Sequence, residues 1–426
     1  MSVKYDKKNI GKGITLTCIC DPKYKTNMIR VRFVTPIVPD DLGVNAVLMS
    51  MLATSNAEIK SRTELSKKFL GLYGTSIGAV WGNVGDYQAM GMTVSAIRDR
   101  FTIGGEVISE EAVRQLLLCI FEPDLTDGNF NESYFKLRKQ ELIDNIAASI
   151  NDKRSYAFMK AKEVIYEGEP TAAAETGTLE RAEKITREDL LRQYDHLMKH
   201  AAIDIMVCGG GEIDGAVGML TEAFSKMERG DVYEIDYRKF SPAKAELRVK
   251  EEDMDIKQSK MFMAYKSECE DIYLCKLTAW LLGGSVFSKL FLNVREKLSL
   301  CYNCDSYYND LKGVMLIESG VDTENIEKAQ EAIRAQVKAM KDGDVTEEEL
   351  ENTKRYIKSN FMSNYDSEWD MAGWYRAQDT RGTCYTPEEV CDIIDRITVA
   401  QIVECANSFT EDTVFVLKAK GGAADE

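Results

Sequence analysis

A chain of 426 residues, 44% apolar and 29% charged, has the length for two or three domains and the composition of a globular protein with a sizeable core. Its net charge of −16 excludes roles that rest on nucleic acid or an anionic membrane surface, since both need basic patches. Its eleven cysteines are scattered singly, mostly in apolar stretches, no apolar run follows the lysines of MSVKYDKKNIGKG, and no stretch reaches 18 consecutive apolar residues. Together these predict reduced thiols, no export signal and no transmembrane helix, hence a cytoplasmic protein.

In chain order, LGVNAVLMSMLA (residues 42 to 53) is apolar nearly all round, as a buried helix would be. SKKFLGLYGTSIGAVWG and the alternating strand DYQAMGMTVSAI follow it. DGNFNESYFKLRKQELIDNI (127 to 146) opens on Asp-Gly, offers Asn131 as an N-cap, and continues as a charged helix carrying Leu142 and Ile146. KITREDLLRQYDHLMKHAAIDIMVCGG (184 to 210) is a capped amphipathic helix running into an apolar strand.

After the polar stretch 228–247 the order repeats. LCKLTAWLLGG is a second buried helix, SKLFLNVREKLSLCYNCD a second helix-to-strand passage, and KGVMLIESGV a strand. DGDVTEEELENTKRYIKSNF (342 to 361) aligns without a gap on 127 to 146, with Thr346 over Asn131, Ile357 over Leu142 and Phe361 over Ile146. RITVAQIVECANSFTEDTVFVLKAKGG (396 to 422) repeats the closing helix and strand. Offsets of 215 and 212 residues define an internal duplication. The expected fold is α+β, two homologous domains, each an antiparallel-rich sheet with helices layered on it. The boundaries read as 1–227 and 248–420, a linker at 228–247, and a disordered tail at 421–426.

GGSVFSKLFLNVREKLSLCY (283 to 302) resembles the second-domain signature of the pitrilysin/insulinase-type zinc metallopeptidases, which include the mitochondrial processing peptidase: Gly-Gly, a Ser-x-Leu-Phe helix, Arg-Glu-Lys, then a Tyr seven residues after the Arg. The duplicated architecture around a chamber is similar to that family's as well. The chain is most similar to the short bacterial branch, which includes members associated with modification of elongation factor P.

That resemblance implies a zinc site on the first buried helix, His-x-x-Glu-His, with a further Glu from the later long helix. Alignment puts Ala46, Met49 and Ser50 at the motif positions and Arg138, give or take a turn, at the last. Catalytic zinc needs about three N, S or O ligands and an open position. The expectation is therefore a degenerate zinc motif, no cofactor in this chain, and no activity of the chain alone. By the same resemblance Arg295 and Tyr302 occupy positions that hold the substrate carbonyl and its oxyanion. The Gly usual between them is replaced by Leu298 or Ser299.

Other candidates favour structural readings. His196 and His200, the only histidines, share a helix face but lack an intervening Glu, and the helix C-terminus accounts for them. Cys301 and Cys304 form a lone Cys-x-x-Cys in a strand pattern. CGGGEIDG lacks phosphate-loop spacing and carries Glu212 and Asp214. Tyr365, Trp369 and Trp374 form an aromatic cluster of core or interface type.

The sequence thus predicts a non-catalytic subunit of a heterodimeric zinc peptidase. Its partner would be a His-x-x-Glu-His-bearing subunit of similar length that holds the zinc and the peptide substrate, with Arg295 and Tyr302 acting in trans. The alternative is a scaffold that binds peptide or protein without cleavage. An independent hydrolase with an unrecognised site ranks third.

Overall fold

The computed structural model describes residues 3–420, so the tail expected at 421–426 lies outside the described residues. Along the first half run β1 (Lys4–Gly11), β2 (Ile14–Cys20), β3 (Thr26–Pro36), α1 (Leu42–Leu52), α2 (Arg62–Gly71), β4 (Ser76–Val84), β5 (Tyr87–Ile97) and α3 (Ile108–Phe121). A two-strand ribbon, β6 (Leu125–Thr126) with β7 (Asn129–Phe130), leads to α4 (Glu132–Ala148). Then come α5 (Lys153–Ile165), α6 (Leu179–Lys184), α7 (Arg187–His200), β8 (Ala202–Gly209) and α8 (Asp214–Ser225).

The second half begins with β9 (Arg248–Met254), β10 (Ser259–Lys266), α9 (Ile272–Gly283), a π-helical segment at Leu290–Lys297, β11 (Asn303–Asn309) and β12 (Val314–Val321). It ends with α10 (Ile326–Lys341), α11 (Glu347–Met362), α12 (Glu368–Thr380), α13 (Pro387–Asp395), α14 (Val399–Ser408) and β13 (Thr410–Ala419).

The duplication is visible in the sheets. One has the order β1-β2-β8-β3-β5-β4 and the other β11-β12-β10-β13-β9. Read from opposite ends, β4-β5-β3-β8-β2 and β11-β12-β10-β13-β9 carry the same polarity. Every pairing is antiparallel except the equivalent parallel pairs β2/β8 and β9/β13. The fold is α+β, as the sequence predicts. Helix starts follow from local chemistry. Asn131 accepts from the N–H groups of Ser133 and Tyr134, and Thr346 with Glu349 forms a capping box at the start of α11.

The compact units are not the two contiguous halves. Among the described residues one comprises those up to 148, 173–236 and 365–376; the other comprises 149–172, 237–364 and those from 377 on. Each half of the chain thus lends the other unit one helical segment. In the second unit α5 lays Ala157, Ala161, Val164 and Ile165 on Phe262, Ala264, Leu316 and Phe415 of the sheet. Burying Val164 and Ile165 contributes roughly 1.5–3 kcal/mol each. Lys266 of β10, itself buried, donates to the carbonyls of Ile165 and Pro242 and pairs with buried Asp412 at 3.3 Å. In the first unit α12 stacks Tyr375 on Tyr5 with centroids 4.6 Å apart, and Arg30 lies over Trp369 at 5.4 Å. Tyr365, Trp369 and Trp374 all belong to the first unit, with Trp374 buried and Trp369 half-exposed.

Candidate functional site

In the first unit α1 is buried along its length except at Ser50, and it lies against β4, β5, α4 and α7. Ala46 and Ser50, one turn apart, face a cavity of about 380 Å³ shared with Arg62, Phe69, Trp81, Arg138 and Glu141. Met49 does not reach it and packs in the apolar core. The Ser50 hydroxyl donates back to the Ala46 carbonyl at 2.9 Å, so its proton is occupied by its own helix.

Arg138, also on the cavity wall, is held by its neighbours. Its Nε and Nη2 donate to Thr54 Oγ1 at 3.0 and 2.7 Å, and its Nη1 pairs with Glu141 at 2.7 Å. Glu141 was not singled out by the sequence. It lies on the same face one turn beyond Arg138, the one-turn latitude the alignment left open. The carboxylate expected on this helix is therefore present, but a guanidinium holds it. A methyl group, a core thioether, a back-bonded hydroxyl and an ion-paired carboxylate do not fit a zinc ion, which requires about three free N, S or O donors.

In the second unit Arg295 and Tyr302 line a different, open cavity of about 370 Å³ with Glu296, Ser299, Leu300, Cys301 and Asp322. Tyr302 is 61% exposed, and the Arg295 side chain is 41% exposed. The arginine is held loosely, 4.6 Å over the Phe291 ring and 3.6 Å from Glu296. The turn joining them follows the π-helical segment, a geometry common near functional sites. Ser299 adopts a left-handed backbone, φ 51°, so it, rather than Leu298, stands where glycine would be expected. The Tyr302 N–H donates to the Gly320 carbonyl at 2.9 Å, which anchors the turn to β12. Hydrogen bonding by Cys304 lowers the pKa of Cys301 on the cavity wall. Only Cys304 of this pair lies within β11.

The remaining candidates are tied into the scaffold. The rings of His196 and His200 lie 5.0 Å apart. His200 Nδ1 meets the Asp231 carbonyl at 2.8 Å and His196 Nε2 the Tyr233 hydroxyl at 3.1 Å. Together they pin the chain leaving α8. Glu212 of the glycine-rich stretch forms a two-pronged pair with buried Arg98.

The stretch that carries the Arg/Tyr pair, and the chain as a whole, are similar to peptidase-family proteins that include members described as inactive. Residues 184–357 match the family described as Peptidase M16 inactive domain. Over its whole length the chain is 24% identical to a Bacillus subtilis (strain 168) protein named "Probable inactive metalloprotease YmfF", covering 100% of both. A conserved protein of Enterococcus faecalis V583 superposes with a TM-score of 0.89 at 24% identity, over 98% of this chain and 99% of that one. A protease from Helicobacter pylori superposes with a TM-score of 0.80 at 16% identity, over 98% and 100%. No helix among the described residues is long and apolar enough to cross a membrane.

Proposed function

We propose that this chain is the non-catalytic subunit of a heterodimeric M16-type zinc peptidase. It forms half of a peptide chamber and extends Arg295 and Tyr302 to the substrate carbonyl at a partner's zinc. One contrast supports the reading: the positions aligned with the zinc motif and the Arg/Tyr pair have unlike surroundings. The positions aligned with the metal motif present no free ligand: Ala46 has only a methyl group, Met49 packs in the core, Ser50 bonds its own helix, and Arg138 is held by Thr54 and Glu141. Arg295 and Tyr302 stay exposed on one open cavity wall, where among the described residues the guanidinium meets only a ring face and a neighbouring carboxylate. A guanidinium and a phenol O–H placed there can stabilise the oxyanion that forms when zinc-activated water attacks a peptide carbonyl.

The test begins with purification of the native complex and identification of stoichiometric partners by mass spectrometry; a His-x-x-Glu-His chain of similar length is expected. In the reconstituted complex Arg295→Ala and Tyr302→Phe should each lower kcat by about 10²–10³ with a smaller effect on KM. Their effects should not add fully, because both groups act on one developing charge. Unchanged turnover in the double variant, with assembly intact by gel filtration, would overturn the reading.

A second reading, a scaffold that holds a peptide without cleavage, is favoured by the first-unit cavity. Its volume of about 380 Å³ and its two arginines, Arg62 and Arg138, suit a ligand rather than a metal. Recovery of uncleaved peptide and no peptidase subunit would put this reading first.

A further inference from the structure

Three thiols that no linear motif connects meet in the second unit. The sulfurs of Cys269, Cys275 and Cys405 all lie within 4.8 Å of one another. Cys269 stands in the loop between β10 and α9, Cys275 on the first turn of α9, and Cys405 on α14. Cys405 Sγ is 3.7 Å from Cys275 Sγ, and the Cys275 thiol is turned towards the Cys269 carbonyl at 3.9 Å. A chain of hydroxyls fixes the two backbones that present the outer pair. Ser267 Oγ accepts from the Cys269 N–H and meets Ser408 Oγ, whose hydroxyl also reaches the Cys405 carbonyl at 2.7 Å. Cys275 and Cys405 are buried, whereas Cys269 is half-buried and gives access from solvent.

Tyr308 of β11, which is only 6% exposed, neighbours the cluster. Its hydroxyl is near enough to the Cys275 thiol for that thiol to raise its pKa, but within ordinary hydrogen-bond distance it has no partner among the described residues. Leaving such a group unpaired costs about 1–3 kcal/mol, so simple packing of apolar thiols does not explain it. A disulfide does not explain it either: sulfurs 3.7 Å apart are unbonded, and a Cys275–Cys405 bridge would still leave Cys269 and Tyr308 without a role. A tetrahedral ion with metal–sulfur bonds of about 2.3 Å sets its sulfurs roughly 3.8 Å apart, close to the observed Cys275–Cys405 separation.

We propose that Cys269, Cys275 and Cys405, with the Tyr308 hydroxyl oxygen as fourth donor, form a site for a thiophilic divalent cation of the zinc class. Binding releases three thiol protons, forms three metal–sulfur bonds and involves no change of oxidation state. The site is independent of Arg295 and Tyr302. It joins the loop after β10 to α9, α14 and β11, so its occupancy would brace the second unit.

Cobalt titration of the full, reduced chain under anaerobic conditions tests this directly. One equivalent should produce a thiolate-to-cobalt charge-transfer band and intense tetrahedral d–d absorption, both abolished by added zinc. Cys275→Ser and Cys405→Ser should lose the bands, and Cys384→Ser, an exposed thiol outside the cluster, should keep them. Tyr308→Phe should weaken binding by about 10-fold or more while raising the stability of the metal-free chain. Should the cysteine variants fail to fold, alkylation mapping on the unaltered chain decides instead: zinc should protect Cys269, Cys275 and Cys405. The proposal falls if no charge-transfer band forms, if Cys405→Ser retains it, or if protection maps to Cys301 and Cys304.

Discussion

Replacing Lys266 by Met removes a cation and leaves a side chain of similar length. The Lys266 and Asp412 side chains are 2% and 0% exposed and 3.3 Å apart. Asp412 also accepts from the Lys244 N–H and the Thr413 hydroxyl, both at 2.7 Å, so it keeps some partners but loses its counter-charge. Breaking a buried pair from one side typically costs about 3–5 kcal/mol. Protonation offers an escape, because placing a proton on an ordinary carboxyl costs about 4 kcal/mol at pH 7 and about 1.5 kcal/mol at pH 5. The carbonyls of Ile165 and Pro242 lose their donor as well. Lys266→Met should therefore destabilise the second unit by about 3–4 kcal/mol at pH 7 and by clearly less at pH 5.

For a unit of this size that corresponds to a fall of roughly 6–16 °C in Tm at pH 7, readable by scanning calorimetry at the two pH values. Lys266→Met/Asp412→Asn, which leaves no buried charge, should recover part of the loss. Hydrogen exchange over residues 153–165 should accelerate in the single variant, since Lys266 ties the end of α5 to the sheet. A loss below about 1 kcal/mol that is the same at both pH values, or a double variant no more stable than the single one, would refute the reasoning.

Ser299→Gly should stabilise the second unit by about 0.5–1 kcal/mol, because glycine takes the φ of 51° without a side-chain penalty; urea denaturation gives the sign. Protease nicking between residues 228 and 247 should leave two fragments that co-elute on gel filtration, since 149–172 and 365–376 each belong to the unit built mainly by the other half; free separation would contradict the exchange. Burial, only partly offset by Asp310, lowers the pKa of Lys276 from 10.5 to about 8. The folded state then holds fewer protons than the unfolded chain between about pH 8 and 10.5, so the contribution of Lys276 to stability is least below pH 8 and rises with pH across that window. The stability of the unaltered chain relative to Lys276→Met should rise over the same range, and a difference independent of pH would count against the assignment.

The sequence by itself determined what depends on neighbours along the chain. Asn131 and Thr346 cap their helices because their oxygens reach N–H groups two or three residues ahead. The apolar helices at 42 and 272 are buried because they have no polar face to expose. Ala46 and Met49 cannot supply imidazole or carboxylate in any fold. What only the tertiary structure decided depends on contacts without a fixed spacing. A repeat detected by offset cannot show that α5 and most of α12 change units, because an offset records order along the chain and not which sheet a helix packs on. Glu141 could not be preferred over Arg138 until the helix was placed, since one turn of either would reach the same cavity. Cys269, Cys275 and Cys405 lie up to 136 residues apart in sequence, and only the packing of α9 against α14 brings their sulfurs together.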